Sequence, residues 1–225
     1  MSMHERFFSN LLFIFLLFSA SVAKASEINA VKNSDGSKWY IEKENEDYYL
    51  RYVNSKGIVY SNSEIITPDI TGSGLFLDTK PLDNVSLVMD YPKNIYIFEF
   101  SSGDIPFLLS ACHTIILSSV EPEQAVAQMT LCSKDNESSG LDLTHVDANK
   151  LLDPDNLVFV GKVKTSISDD KSFLYHEDGT QKHNKPYLIK GDIVEIISYK
   201  KNMLKIKYAS KSGTIIGWIK FSSIL

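Results

Sequence analysis

Residues 213–225 read GTIIGWIKFSSIL, a run of β-branched and apolar residues interrupted by Gly217 and Trp218. β-Branched and aromatic residues are typical of strands, so the run predicts a β-strand. Short strand-like segments recur before it, without a helical pattern between them. They are VFVGKVK, FLY, PYLI, DIVEIIS and MLKIKYA, which start at residues 158, 173, 186, 192 and 203. Short strands joined by tight turns at this spacing predict a small β-barrel over residues 158–225.

Three stretches of this segment resemble the bacterial SH3-like (SH3b) domain family: YLIKGDIVEIIS (187–198), MLKIKY (203–208) and GWIKFSSIL (217–225). Members of that family share a strand, a Lys-Gly-Asp-type turn, two hairpin strands and a Gly-Trp-hydrophobic strand. The resemblance covers about residues 158–225 and implies a small SH3-like β-barrel. It also implies binding of a cell-wall peptide or a protein segment, without catalysis.

Two interpretations of the Gly-Trp pair stay open. In a five-stranded barrel, Gly217 lets the last strand bend to close against the first, and Trp218 covers the end of a small core. Alternatively, the resemblance implies that Trp218 lines a peptide groove, with Tyr175 and Tyr187 as neighbours. We therefore take Tyr175, Tyr187 and Trp218 as the candidate ligand-binding residues.

Residues 26–152 predict a second, β-rich domain that resembles no family we can name. Strand-like segments begin at Trp39 and continue as a meander to residue 100. Residues 105–120 are the most apolar stretch, and the run TIILSSV (114–120) within it predicts a core strand. Pro122 predicts the first turn of a short helix over residues 122–129. A second brief helix is predicted to end near Leu152. The fold class is thus mainly β, with one or two short helices.

The first 25 residues predict a secretory signal peptide, because Arg6 precedes the apolar run Leu11–Phe18 and small residues stand at Ala23 and Ala25. The apolar run is shorter than the roughly 20 residues of a spanning helix, so we expect no membrane span once the leader is removed. This predicts a periplasmic or secreted protein. Residues 26–152 would then be the acidic domain, 153–157 a linker and 158–225 the SH3-like domain.

The two cysteines of the chain are Cys112 and Cys132, and an even pair in an oxidising compartment predicts a disulfide. Charge divides unevenly along the sequence. Residues 26–157 hold 9 Lys and Arg against 21 Asp and Glu, a balance of −12, and residues 158–225 hold 12 against 6, a balance of +6. Such asymmetry suggests separate units that dock on each other or have different partners, although both can equally be solvated surfaces.

A cysteine peptidase is the sharpest catalytic hypothesis, since Cys112, His113 and His145 are present and wall peptidases of the NlpC type carry SH3-like modules. The setting ACHTIIL and the second cysteine argue against it. The histidines lack metal-ligand spacing, and no phosphate-binding glycine loop or G-x-S-x-G occurs. We therefore expect no enzyme, no metal and no cofactor.

The sequence predicts an exported, non-catalytic binding protein of the bacterial cell envelope. Its expected partner is a cell-wall peptide or an envelope protein, and nucleic acid is not expected in an exported protein. The alternative is a periplasmic inhibitor or immunity protein that blocks a secreted toxin or a wall hydrolase, because an acidic surface suits the capture of a basic enzyme.

Overall fold

The computed structural model of the chain describes residues 26–66, 74–120, 126–134, 140–211 and 213–225. The predicted signal peptide, residues 1–25, lies outside the described residues. The described part is mainly β, with several antiparallel sheets and a short α-helix, α1 (Ala148–Leu151). This is the predicted fold class at the level of secondary structure.

The strands divide between two parts of the chain. The first part contains β1 (Ser26–Lys32), β2 (Lys38–Glu44), β3 (Asp47–Val53), β4 (Val59–Asn62), β5 (Leu75–Thr79), β6 (Val85–Asp90), β7 (Asn94–Ser101), β8 (Phe107–Ser118), β9 (Val126–Ser133) and β10 (Leu157–Val160). The second contains β11 (Val163–Ser166), β12 (Lys171–Phe173), β13 (Tyr187–Ile189), β14 (Ile193–Lys200), β15 (Met203–Ser210) and β16 (Gly213–Lys220).

The first sheet is an antiparallel meander of β1 to β4, in which each strand pairs with the next. Tight turns make this possible: Gly57 has a φ of +82° and its N–H donates to the carbonyl of Asn54 over 2.9 Å. Side chains alternate between faces along a strand, so Trp39 and Ile41 of β2 both point inward and are fully buried. The predicted meander is therefore present from Trp39 to Tyr60, but it does not continue to residue 100, because β5, β6 and β7 lie in a different sheet.

The second sheet has six strands in the order β10-β9-β8-β7-β6-β5. At its centre β8, a strand of 12 residues, pairs with β7 on one side and with β9 on the other. The helix predicted over residues 122–129 is wrong for residues 126–129, which begin β9; the remaining residues lie outside the described part. Alternation explains the difference, because Ala127, Met129 and Leu131 are buried on one face of the strand.

The buried apolar residues form two clusters. The first core includes Trp39, Ile41, Leu50, Tyr52, Ile65, Leu87, Met89, Phe98, Phe100, Leu108 and Ala111. The second core includes Ile115, Leu117, Met129, Leu131, Val194, Ile196, Leu204, Ile206, Ile219 and Ile224. Strand β8 contributes to both cores, and β9 adds to the second core alongside the strands that follow residue 160. The hairpin β8–β9 therefore joins the two parts of the molecule.

The predicted disulfide is present between Cys112 and Cys132. The two residues are direct cross-strand partners on β8 and β9, with their Cα atoms 4.0 Å apart. Cys112 follows Ala111 of the first core and precedes Ile115 of the second, so the bond fixes the hairpin where the two cores meet.

The C-terminal strands form a four-stranded sheet in the order β11-β14-β15-β16 and a pair, β12-β13. An isolated backbone bridge between Tyr175 and Trp218 links the pair to β16. No closed barrel is detected among the described residues. Residues 158–160, which the sequence placed with the C-terminal barrel, pair with β9 in the second sheet.

The structure explains glycine at position 217 by close packing, not by the strand bend that the sequence suggested. Gly217 lies within β16, directly opposite Ile206 of β15, in an unbroken register. A Cβ atom at this position would lie 3.3 Å from the Leu174 side chain and 3.2 Å from Lys182 Nζ. Glycine therefore makes room for Leu174, a member of the second core, to pack directly against the strand.

We expect the disulfide to contribute about 3 kcal/mol to the free energy of unfolding, because it closes a loop of 20 residues in the unfolded chain. The double variant Cys112→Ala/Cys132→Ala should lose about this amount in urea unfolding. Reductant should lower the stability of the wild type to that of the variant and leave the variant unchanged. Equal stability of wild type and variant in non-reducing buffer would contradict this role.

Candidate binding groove around Trp218

Trp218 lies on the outer face of the C-terminal sheet. Its neighbour Ile219 belongs to the second core, whereas Trp218 points to the opposite face and belongs to neither core. It is nevertheless only 7% exposed, since surrounding side chains cover it. The tryptophan is therefore buried at the surface of the sheet and does not seal the end of the core.

A row of directly opposed residues crosses this face. Ser198 of β14 is opposite Lys205 of β15, Lys205 is opposite Trp218, and Trp218 is bridged to Tyr175. The N–H of Tyr175 donates to the Trp218 carbonyl over 2.8 Å, and the N–H of Trp218 donates back over 3.2 Å. Opposed residues of antiparallel strands share a face, so the row presents a hydroxyl, a cation and two aromatic side chains together.

The structure brings Tyr175 and Trp218 together but places Tyr187 elsewhere. Tyr187 of β13 is opposite Phe173 of β12, and the two rings meet edge-on with 6.1 Å between their centroids. It is 48% exposed, and Lys171 Nζ lies 4.0 Å from its ring centroid. Tyr187 thus belongs to a small aromatic and cationic cluster on the β12-β13 pair, and of the three predicted residues only Trp218 lines the groove described next.

We define the Trp218 groove as the cavity of 470 Å³ next to this row. Ser198, Lys205 and Trp218 line one side, and Pro154, Leu157 and Val158 line another. The second set comes from the segment that leads into β10, which packs near β14. The sequence did not predict that this second set lines the groove. The residues that it faces lie some 40 to 60 positions later in the chain, and no local motif marks the set.

Lysines dominate the charge of the groove. Lys134, Lys200, Lys201 and Lys205 line it, together with two carboxylates, Glu177 and Asp155. Lys200 Nζ lies 3.0 Å from Glu177 Oε1, and Lys201 Nζ lies 3.3 Å from Asp155 Oδ2. Lys205 Nζ lies over the Trp218 ring at 6.0 Å from its centroid, which is a cation–π contact. The groove therefore has a net positive charge.

The groups of the hypothetical cysteine peptidase do not come together. The Cys112 sulfur is bonded to Cys132, so it has no thiol to serve as a nucleophile. His145 lies in an exposed turn, where its Nδ1 is 2.7 Å from Asp142 Oδ2. Within the described residues, no group of three His, Cys, Asp or Glu side chains is arranged to hold a metal ion.

His113 instead lies on β8 between the two cores. Its ring stacks on Tyr96 with 4.4 Å between centroids, and its Nε2 lies 2.8 Å from Asn94 Oδ1. Burial disfavours the charged imidazolium and lowers the pKa of His113 from 6.5 to about 4. The imidazole is therefore neutral at physiological pH.

The chain matches no protein-family model, no curated protein and no solved structure. In the part of the chain that the structure describes, no helix has the length and apolar character needed to cross a membrane.

We expect His113 to make stability depend on pH below neutrality. Its pKa is lower in the folded chain than in the unfolded chain, so the unfolded chain binds the proton first as the pH falls. The free energy of unfolding is therefore unaffected by His113 above about pH 6.5 and decreases as the pH falls toward 4. Part of the ring remains in contact with solvent, so we expect a loss of about 2 kcal/mol over this range.

The measurement is urea unfolding of the wild type and of His113→Gln at several pH values. As the pH is lowered from about 7 to 4, the wild type should lose about 2 kcal/mol of its free energy of unfolding relative to His113→Gln. His183→Gln removes an exposed histidine and is the control for the substitution itself. A difference between the wild type and His113→Gln that stays constant with pH would contradict the lowered pKa of His113.

Proposed function

We propose that the chain is an exported, non-catalytic binding protein of the bacterial cell envelope, and that its Trp218 groove holds an acidic peptide or protein segment. The observation that supports this most directly is the row Ser198, Lys205, Trp218 and Tyr175 on one face of the C-terminal sheet. The row gives two aromatic side chains, a residue class enriched in binding hot spots, next to the amine of Lys205.

The charge of the groove favours an acidic partner. Four lysines line the groove against two carboxylates, and the ion pairs of Glu177 and Asp155 with lysine span 3.0 and 3.3 Å, so the formal charge of the groove is positive. The paired side chains are exposed, so these ion pairs contribute little and are readily exchanged for a ligand carboxylate. A peptide with two or more carboxylates fits this arrangement better than a neutral or cationic one.

The arrangement of the C-terminal strands agrees with an SH3-like barrel. A four-stranded antiparallel sheet is joined to a two-stranded pair by the Tyr175–Trp218 bridge, as a partly open small barrel requires. In SH3-type modules, aromatic side chains form the floor of the groove that holds an extended peptide. We therefore assign the predicted ligand-binding role in the groove to Trp218, place Tyr175 beside the groove through its backbone bridge to Trp218, and treat Tyr187 as an exposed neighbour outside it.

Export is supported by the disulfide, because such bonds persist in oxidising compartments such as the bacterial periplasm. It agrees with the leader predicted over residues 1–25. A periplasmic or secreted location would bring the groove into contact with cell-wall peptides and envelope proteins, which are the partners proposed here.

A second function, inhibition of a secreted toxin or wall hydrolase, is favoured by an apolar loop tip on the acidic part of the chain. Leu82, between β5 and β6, is 92% exposed and has a φ of +64°. A bulky residue in this backbone region is strained, and strained residues cluster at binding sites. Ile58 and Ile105 on neighbouring loops are also more than half exposed.

Hydrogen bonds hold this loop tip in place. Ser102 Oγ donates to the Asp83 carbonyl over 2.5 Å and accepts from Trp39 Nε1 over 2.9 Å. Asn54 Nδ2 donates to the Asp104 carbonyl over 2.9 Å, which ties the loop of Ile58 to that of Ile105. A rigid apolar tip on a segment with a charge of −12 suits a basic enzyme with an apolar pocket, since little entropy is lost on docking.

For the Trp218 groove, we expect purified mature protein to sediment with peptidoglycan or to retain an acidic envelope protein at low salt. The double variant Lys201→Glu/Lys205→Glu should lower the retained fraction at least tenfold, because it reverses two charges of the groove. Lys190→Glu, on an exposed turn outside the groove, should bind like the wild type. Equal retention of the double variant and this control would refute the groove as the binding site.

To test inhibition, the target enzyme is a secreted toxin or wall hydrolase whose gene neighbours the gene of this chain. The wild type should inhibit that enzyme, and Leu82→Glu should raise the inhibition constant at least tenfold by placing a charge in the apolar contact. Val160→Glu introduces the same charge at an exposed residue of β10 and should leave inhibition unchanged. Failure of the wild type to inhibit would remove this function.

A further inference from the structure

A cavity of 540 Å³ lies between the first and second cores. Ile65 and Met89 of the first core line it, as do Ile115 and Leu131 of the second. The cavity is a cleft that opens to solvent, and the exposed Asn149 lies at its edge. Its volume is within the range of small-molecule sites, which are mostly apolar and lie where structural units meet.

The floor of this cavity is one row of opposed residues on the second sheet. Met89 of β6 is opposite Tyr96 of β7, Tyr96 is opposite His113 of β8, and His113 is opposite Leu131 of β9. All four residues line the cavity. On β8 the same face continues into Ala111 of the first core and Ile115 of the second, so the row marks the gap between them.

Aromatic rings with polar atoms surround the apolar residues. Tyr96 stacks on His113, and Tyr91 meets Tyr96 edge-on at 5.8 Å between centroids. From the C-terminal part of the chain, Tyr199 and Phe221 contribute a second edge-on pair at 6.1 Å. A ring-containing ligand can be held by such stacked and edge-on contacts.

The polar groups of the cavity are uncharged. Asn94, Asn149 and Asn202 line it and supply amide donors and acceptors. Among the described residues that line it there is no Asp, Glu, Lys or Arg. His113 is neutral at pH 7 because burial lowers its pKa to about 4. An ion in this cleft would lose part of its hydration without gaining a partner of opposite charge, which is unfavourable.

We propose that this cavity is a binding site for one small, uncharged molecule that is mostly apolar and contains a ring. The site is distinct from the positively charged Trp218 groove, and the proposal does not depend on the function assigned to that groove. The two proposed ligands have opposite requirements: the groove selects carboxylates and the cavity excludes them.

Two fluorescent probes of nearly the same shape test the charge requirement. N-Phenyl-1-naphthylamine is uncharged, and 8-anilinonaphthalene-1-sulfonate adds one sulfonate to the same ring system. Titration of the full mature protein should give saturable binding of the uncharged probe with one site per chain. The sulfonate should bind at least tenfold more weakly. Equal affinities, or no saturation by the uncharged probe, would overturn the proposal.

Two neighbouring residues of α1 provide a matched pair of variants. Asn149 and Lys150 are both exposed, but only Asn149 lines the cavity. Asn149→Trp should lower affinity for the uncharged probe at least tenfold by filling the space, and Lys150→Trp should not. Equal effects of the two variants would locate the probe outside the cavity.

A measurement on the wild type keeps the test independent of folding of the variants. On addition of the uncharged probe, nuclear magnetic resonance should show ring-current shifts concentrated on the side chains of Tyr96, His113 and Phe221. Shifts concentrated instead on the exposed cluster of Phe173 and Tyr187 would place the probe at that surface and refute the site.

Discussion

The pairing of β8 with β9 is the constraint on which the rest of the structure depends. β8 contributes Leu108 and Ala111 to the first core and Ile115 and Leu117 to the second. One continuous strand therefore spans both cores. The Cys112–Cys132 bond closes this hairpin at the junction. Because both cores are built on the same strand, the packing of side chains from β8 and β9 holds the two parts of the chain together.

The first core also depends on a single buried amide. Asn62, at the end of β4, donates through Nδ2 to the carbonyls of Leu143 and Val146 over 2.7 and 2.8 Å. Its Oδ1 accepts from the backbone N–H groups of Glu64 and Ile65. Every hydrogen-bonding position of the buried side chain is used, so the first sheet is tied to the turn before α1 without an unpaired polar group.

The sequence predicted what depends on local pattern and missed what depends on distant partners. Strand-like runs rich in aromatic and β-branched residues identified β2, β3, β6 and β7, and the cysteine pair predicted the disulfide. The helix expected after Pro122 was wrong from residue 126 because strand pairing with β8 outweighs the local helix signal. The groove was only half predictable: Trp218 stands in a recognisable motif, whereas Leu157 joins it through packing against a strand some 40 residues later.

The groove and the cavity meet at a common wall. Pro154, Leu157 and Tyr199 line both spaces. On one side of this wall lysines give a positive surface that is open to carboxylates, and on the other side aromatic and amide groups give a neutral interior. Residues that contact a shared neighbour are energetically coupled, commonly by 0.5 kcal/mol or more as an order of magnitude. The segment between α1 and β10 therefore separates the Trp218 groove from the cavity, and a shift of this segment would change the width of both sites.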